Sequence, residues 1–158
     1  VIFIEHILLY GSQGEVPDNG YKIPLGKAEV MRAGSDVTIV SFSRMAQVSL
    51  EAAEELSQEG IQAEVIDLRT LRPMDADTMV ESVQKTHRAV VVEEASGLGG
   101  FGGEIASQLQ ERAFDYLDAP VRRVSGEEVP MPYSRPLELL AIPNAQTVAQ
   151  AVREAMAR

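Results

Sequence analysis

The chain has 158 residues, of which 45% are hydrophobic and 24% are charged, as is typical of a single globular domain. Cysteine is absent, which excludes disulfides, thiolate metal sites and a cysteine nucleophile. The net charge of −10 disfavours nucleic acid and anionic membranes and favours a basic protein partner, although acidic helices can also serve only to keep a surface solvated. No apolar run approaches the roughly 20 residues that a membrane span requires.

The first residues predict a strand followed by a linker. The apolar stretch at residues 1–5 has no initiator Met and no basic segment before it, which argues against a signal peptide. We therefore expect a fragment of a longer chain that starts in the middle of a strand. Gly, Pro, Asp and Asn are frequent at residues 11–24, and this composition predicts a linker.

Strands and helices alternate from residue 37 onward. The β-branched run at residues 37–41 predicts a strand that is buried on both faces. The next segment predicts a helix, because apolar residues recur there at helical spacing. These residues are Met45, Val48, Ala52 and Leu56. Gly60 stands where a helix commonly ends with a left-handed residue.

The alternation continues to the end of the chain. Apolar and β-branched runs predict strands at residues 63–68, 89–93 and 121–124. Asp75 and Asn144 can each cap a following helix, and another helix is predicted to open at Gly102. The apolar side chains expected to face the core from these three helices are Met79, Val80, Val83, Ile105, Leu109, Ala113, Val148, Val152 and Met156.

The predicted fold is α/β, a three-layer α/β/α sandwich. Strands that alternate with helices of about a dozen residues favour right-handed crossovers and a mostly parallel sheet with both faces covered. An edge strand at residues 27–31, which could be antiparallel, completes a mixed sheet of five strands. Four prolines between residues 127 and 143 predict an ordered but irregular loop.

The Gly-rich segment GLGGFG at residues 97–102 is the most obvious candidate for a binding site. It matches the G-x-G-x-x-G pattern of dinucleotide-binding turns and stands between a strand and a helix. However, Glu93 and Glu94 before it would repel a pyrophosphate, and Asp118 precedes the next strand instead of ending it. We interpret the segment as a turn that lets the next helix pack closely, and anion or nucleotide binding is the alternative.

The remaining polar residues form no catalytic pattern. Ser43 is predicted to cap the helix that follows it, and anion binding at that edge of the sheet is the alternative. His6 and His87 are far apart in sequence and are predicted in surface or turn positions. Arg69 and Arg72 could bind an anion, but pairing with nearby acids is the preferred interpretation. No catalytic, cofactor-binding or metal-binding residue is assigned.

Two blocks carry a resemblance to a known family, AEVIDLRTLRPMD at residues 63–75 and VSGEEVPMPY at residues 124–133. Five shorter motifs accompany them in order: EHILLY (5–10), IPLGKA (23–28), DVTIVS (36–41), GGFGGE (99–104) and AFDYLDAP (113–120). Together they resemble the C-terminal domain of the beta subunit of thiamine-diphosphate-dependent 2-oxo acid dehydrogenases. The pattern is most similar to the pyruvate dehydrogenase members, followed by the acetoin and branched-chain 2-oxo acid members.

The resemblance implies a transketolase C-terminal-like domain at residues 27–158, preceded at residues 1–26 by the end of a pyrimidine-binding domain and a linker. In this family, thiamine diphosphate and magnesium are held between an alpha chain and the N-terminal domain of a beta chain. The implied parent enzyme carries out oxidative decarboxylation of a 2-oxo acid, whereas the fragment alone is expected to be inactive. The implied location is a bacterial cytoplasm, or the mitochondrial matrix in a eukaryote.

The implied partners are an alpha subunit, a second beta subunit and the subunit-binding domain of the dihydrolipoyl acyltransferase, with no nucleic acid and no membrane. Glu128 matches an acidic position of the family's G-x-[D/E]-x-P loop, and Glu127 adds a second charge beside it. These two residues, with the C-terminal carboxylate at Arg158, are the predicted partner-binding residues, because acids at the rim of an interface accelerate association with a basic partner. The alternative is that Glu127 and Glu128 only solvate a turn.

Overall fold

The computed structural model of the protein describes residues 5–15, 17–18 and 20–157. The strand predicted at residues 1–5 therefore lies outside the described residues, except for Glu5, which is not in a strand. The described part of the predicted linker at residues 11–24 consists of turns and irregular backbone. A short 3-10 turn at Ile7–Leu9 precedes it.

A five-stranded mixed sheet forms the centre of the domain. Its strands are β1 (Glu29–Arg32), β2 (Val37–Ser41), β3 (Ala63–Asp67), β4 (Ala89–Ser96) and β5 (Arg122–Gly126). Their order across the sheet is β1-β3-β2-β4-β5. β1 pairs antiparallel with β3 at one edge, and the remaining neighbours are parallel. The mixed sheet and its antiparallel edge strand confirm the predictions from the sequence.

Five helices complete the described part of the domain: α1 (Arg44–Gln58), α2 (Ala76–Thr86), α3 (Gly102–Ala113), α4 (Arg135–Ala141) and α5 (Ala145–Met156). The apolar stripes of α1 and α5 pack on one face of the sheet, and those of α2 and α3 pack on the other face. This arrangement is the predicted three-layer α/β/α sandwich. It is the arrangement expected when helices connect parallel strands and cover both faces of the sheet.

The central strand β2 divides the core into two halves. All five of its side chains are buried, and successive side chains of a strand point to opposite faces of the sheet. Ile39 therefore packs with the α1 and α5 side, whereas Val40 packs with the α2 and α3 side. A strand with two buried faces is rich in apolar and β-branched residues, which explains the β-branched run in the sequence.

The helix ends follow the signals in the sequence. Gly60 adopts φ +86° after α1, and the amides of Gly60 and Ile61 donate to the carbonyls of Ser57 and Leu56 at 3.1 and 3.0 Å, as in a Schellman motif. Asp75 accepts from the amide of Thr78 at the start of α2. Asn144 forms a capping box at the start of α5.

Two predictions about local structure are wrong. Residues 135–141, predicted as irregular loop, form helix α4, because Pro136 stands in the first turn, where proline needs no amide partner and its fixed φ suits a helix. Ser43 stands at the N-cap position of α1 but makes no capping hydrogen bond. Its φ of 56° and ψ of −139° differ from the extended backbone that directs a cap side chain toward the helix.

Candidate partner-binding surface

The predicted acidic loop leaves the sheet at the end of β5, where the backbone is held tightly. Gly126 is buried there, and a Cβ built on it would lie 2.5 Å from the carbonyl oxygen of Glu94. The amide of Glu127 donates to the carbonyl of Ala141 at 2.9 Å, which ties the loop to the end of α4. The close approach explains why glycine occupies position 126, and it fixes where the acidic loop begins.

Glu127 and Glu128 follow this anchor at the surface. Both residues are exposed, and within the described part of the chain neither carboxylate forms an ion pair or a side-chain hydrogen bond. The structure thus places these two predicted residues side by side with their charges unneutralised. The third predicted residue, Arg158, lies outside the described residues.

The segment that follows the acids exposes many apolar side chains. Three of them lie in the loop and three on α4: Val129, Met131, Tyr133, Leu137, Leu139 and Leu140. We call residues 127–143 the β5–α5 segment. A dense group of exposed large apolar side chains, flanked by acids, is typical of a surface that binds another protein.

The Gly-rich turn is filled by a carboxylate of the chain itself. Glu93, on β4, is only 1% exposed; its Oε2 accepts from the amide of Gly102 at 2.8 Å, and its Oε1 accepts from Arg123 at 2.9 Å. A Cβ at Gly100 or Gly102 would lie 2.4 Å from this carboxylate. Glu93 thus occupies the helix N-terminus where a dinucleotide fold holds phosphate, which supports close packing over nucleotide binding.

A second cluster lies at the carboxyl ends of β2 and β4, where the strand order reverses and where ligands commonly bind in open α/β sheets. A cavity of about 400 Å³ is lined there by four apolar residues and by His6, Ser43, Arg44 and Glu94. His6, at the start of a 3-10 turn, lies 3.2 Å from Glu94, and Nη1 of Arg44 lies 3.7 Å from the same carboxylate. Glu94 therefore supplies a negative charge at this edge, whereas Nη1 of Arg44 is buried and has no hydrogen-bond partner among the described residues.

Two further predictions from the sequence concern turns and charges. His87 ends α2 with a left-handed backbone, φ 61°, and its Nδ1 lies 2.9 Å from the carbonyl of Tyr116, so it occupies a turn as predicted. Arg69 forms an ion pair with Glu29, which is the predicted pairing with a local acid. Arg72 is exposed and forms no ion pair with any described residue.

Three partly or fully buried carboxyls have shifted pKa values. Burial raises the pKa of Asp67, and the amide of Arg69 only partly offsets this. For Glu64, burial acts in the same direction, but hydrogen bonds from Lys85, Ser82 and Gly34 outweigh it and lower the pKa. For Asp75, bonds from Ala28 and Thr78 likewise outweigh burial and lower the pKa.

These three carboxyls bind different partners and form no shared site. Across residues 5–157, apart from the two undescribed positions 16 and 19, no group of three or more His, Asp or Glu side chains is placed to hold a metal ion. In the same residues no helix has the length and apolar character of a membrane span. The acidic loop and the β5–α5 segment are therefore the strongest candidate for a functional surface.

Comparison with known proteins identifies the family of this domain. The sequence matches the family of the transketolase C-terminal domain over residues 26–148, which is most of the chain and includes all five strands. The chain belongs to the transketolase C-terminal domain family. Its mixed sheet with helices on both faces agrees with that family, and the fold prediction is confirmed.

Individual relatives are more specific than the family. The chain is 49% identical over 98% of its length to the pyruvate dehydrogenase E1 component subunit beta of Rickettsia felis. It is 47% identical over its whole length to the mitochondrial subunit of the same name in Dictyostelium discoideum. The chain spans 47% and 46% of the lengths of these relatives, so about half of each relative has no counterpart here.

A solved structure shares the fold as well. It is a split-gene transketolase, an inactive beta4 tetramer, which is 34% identical with a TM-score of 0.76 and covers 91% of this chain and 46% of that one. The resemblance to beta subunits of the pyruvate dehydrogenase type is thereby confirmed for this transketolase C-terminal domain.

The residue that fills the Gly-rich turn cannot be assigned this role from the sequence. Glu93 binds both Gly102 and Arg123, but the sequence indicates neither contact. The sequence offers one signal, a carboxylate at the end of the strand predicted at residues 89–93, whose other residues are apolar. A buried carboxylate requires hydrogen-bond partners. The sequence therefore indicates that Glu93 has partners but does not identify them.

Proposed function

We propose that this transketolase C-terminal domain belongs to a beta subunit of a pyruvate dehydrogenase E1 enzyme and serves assembly. In this proposal it packs against a second beta subunit and an alpha subunit, and it docks the subunit-binding domain of a dihydrolipoyl acyltransferase. The observation that carries the proposal is the match of nearly the whole chain to beta subunits of that name. The exposed apolar residues of the β5–α5 segment support it, as do the exposed carboxylates of Glu127 and Glu128, which form no ion pair with a described residue.

The parent enzyme is proposed to decarboxylate a 2-oxo acid oxidatively with thiamine diphosphate and magnesium. The described residues of this chain do not fit that cofactor: the carboxylate of Glu93 fills the helix start that follows the Gly-rich turn, and the described carboxyls form no metal-binding group. We therefore assign the cofactor to other parts of the parent enzyme and no catalytic step to this domain. The domain alone is expected to be inactive.

We also propose that residues 1–26 belong to a preceding domain and linker. The family match begins at residue 26 and β1 begins at Glu29, which supports a boundary at that point. The relatives are bacterial and mitochondrial proteins, which supports a bacterial cytoplasm or, in a eukaryote, the mitochondrial matrix. The proposed C-terminal docking role of Arg158 rests on the family resemblance alone.

Charge removal at the acidic loop tests the docking role. The double variant Glu127→Gln and Glu128→Gln keeps the side-chain shape but removes both charges. We expect its Kd for the subunit-binding domain, measured by calorimetry, to rise about tenfold at low salt and much less at high salt, because salt screens rim charges.

The matched control is Glu54→Gln with Glu81→Gln, which removes two exposed charges from α1 and α2. The control should bind as the unaltered chain does. Equal weakening by both double variants would show that only net charge matters and would contradict a docking role for the acidic loop. Binding by neither variant nor the unaltered chain would contradict the proposal as a whole.

A further inference from the structure

The cavity at the carboxyl ends of β2 and β4 contains an arginine whose buried nitrogen has no acceptor in the described part of the chain. Nη1 of Arg44 is buried and forms no hydrogen bond with a described residue. The carboxylate of Glu94 lies 3.7 Å from this nitrogen, which is beyond hydrogen-bond distance. A buried donor without an acceptor is costly, so an acceptor placed beside Arg44 would be bound favourably.

The carboxylate of Glu94 is turned toward a different partner. Nε2 of His6 lies 3.4 and 3.2 Å from its two oxygens. Nδ1 of His6 accepts from the amide of Leu8 at 3.3 Å, so in the neutral imidazole Nε2 carries the proton and donates to Glu94. Glu94 therefore gives Arg44 a nearby negative charge but no hydrogen bond.

The cavity has the size and lining of a small-molecule site. Its volume of about 400 Å³ lies within the usual range for such sites. The side chain of Arg44 is 21% exposed, so a ligand in the cavity can reach the guanidinium. The hydroxyl of Ser43 does not cap α1 and is available as a second donor. The apolar part of the lining consists of Phe42, Met45, Ala95 and Met131.

A guanidinium and a hydroxyl beside an apolar wall suit a ligand with one carboxylate and a short apolar chain. Charge-assisted hydrogen bonds from arginine to a carboxylate are among the strongest in proteins. We propose that this cavity binds a small aliphatic monocarboxylate, with its carboxylate on Arg44 and its chain against Phe42 and Met131. Phosphate fits less well, because it has no apolar part and its second charge is repelled by Glu94. The inference goes beyond the assembly role and does not depend on it.

Titration of the chain with butyrate, followed by two-dimensional NMR of its backbone amides, tests the site. Butyrate should shift the amide signals of Ser43, Arg44 and Ala95, which line the cavity, and leave that of Leu98 on the Gly-rich turn unchanged. Acetate should bind with a Kd about fivefold higher, because it lacks two methylene groups. Butyramide, which has the chain but no charge, should bind about tenfold more weakly than butyrate, and inorganic phosphate should also bind more weakly.

Two substitutions at the polar end of the cavity should change the Kd for butyrate in opposite directions. Arg44→Gln should raise it at least about tenfold, because it removes the charged donor. Glu94→Gln should lower it about threefold, because it removes a like charge and keeps an acceptor for His6. The matched control Arg72→Gln removes an exposed arginine that forms no ion pair with a described residue, and its Kd should stay within about twofold of that of the unaltered chain.

A substitution in the apolar wall tests the position of the chain of the ligand. Met131→Ala should raise the Kd for butyrate about threefold, because it removes apolar contact area. It should leave the Kd for acetate unchanged, since acetate has no chain to contact this wall. Equal losses for both ligands would show that the aliphatic chain does not contact Met131 and would contradict the proposed orientation.

Four results would overturn the inference. Butyramide binding as tightly as butyrate would show that the charge is not recognised, and tighter binding of phosphate would show that the apolar wall is not used. Equal effects of Arg44→Gln and Arg72→Gln would show that only net charge matters. If Arg44→Gln does not fold, Glu94→Gln decides, and a Kd that does not fall in this variant contradicts the site. If no carboxylate shifts the amide signals of the cavity, the inference fails and the assembly role is unaffected.

Discussion

The carboxyl group of Asp67 is partly buried and forms no ion pair with a described residue. It ends β3, and its only hydrogen bond in the described residues comes from the amide of Arg69 at 2.9 Å. Burial raises its pKa above the usual range, and the amide offsets this only in part. The raised pKa means that the folded state favours the neutral form of this carboxyl over the charged form. At neutral pH the carboxyl is charged, and its charge therefore lowers the free energy of unfolding.

The variant Asp67→Asn should therefore be more stable than the unaltered chain near pH 7, since it keeps the acceptor oxygen and removes the buried charge. The advantage should shrink as the pH falls through the raised pKa of Asp67, because the carboxyl then becomes neutral in the folded state. Urea unfolding across this pH range measures the effect. Asp115→Asn, at an exposed site, should change little, and a stability gain that does not depend on pH would contradict this explanation.

Glu93 is the opposite case, a buried carboxylate with two partners. Its replacement by alanine leaves the amide of Gly102 and the guanidinium of Arg123 without their acceptor, and breaking such a pair costs about 3 kcal/mol. Glu93→Ala should lower the free energy of unfolding by about that amount in urea titration, and sulfate should stabilise this variant more than it stabilises the unaltered chain.

A suitable control for Glu93→Ala is Glu111→Ala, which truncates an exposed glutamate on α3. Its free energy of unfolding should change by less than about 0.5 kcal/mol. If Glu93→Ala were as stable as this control, or if added sulfate had equal effects on both, the carboxylate would not be the group that completes the Gly-rich turn.

At the scale of the elements, glycine ends helix α1 by a conformational effect rather than by packing. Gly60 has φ +86°, and a Cβ built on it would meet no atom within 4 Å, so an alanine there touches no neighbour but must adopt a left-handed backbone. Gly60→Ala should cost about 1 kcal/mol in thermal or urea unfolding. Gly11, which also has open space but no positive φ, is the matched control, and an equal loss in Gly11→Ala would contradict this explanation.

Elements with local signals can be predicted from the sequence. Asp75 marks the start of α2 and Asn144 that of α5, because their capping side chains act within three residues. The strands β2 and β3 are recognisable because burial on both faces makes them largely apolar. Helix α4 escapes prediction because prolines normally indicate loops, although Pro136 is favourable in a first turn.

The candidate site is predictable only in part, for a physical reason. The acidic loop carries its own signal in Gly126, Glu127 and the prolines that follow. The place of this loop beside α4 depends on the hydrogen bond between Glu127 and Ala141, and the sequence around either residue gives no sign of that bond. Pairings between distant segments, such as Glu93 with Arg123, likewise become visible only once the sheet order is known.

At the scale of the whole molecule, charge and exposed apolar surface act together. The net charge of −10 repels further copies of the chain at long range, whereas the exposed apolar residues of the β5–α5 segment favour association once surfaces meet. Salt should therefore strengthen contact between copies and weaken contact with a basic partner. The two proposed partners of this domain thus respond to salt in opposite directions.

Sedimentation velocity of the chain, alone and then with the subunit-binding domain of the acyltransferase, at low and high salt, tests the assembly role most directly. We predict a dimer that persists or strengthens at high salt, and capture of the basic module that is strong at low salt and weak at high salt. A chain that remains monomeric at high concentration and captures no module at either salt level would contradict the assembly role.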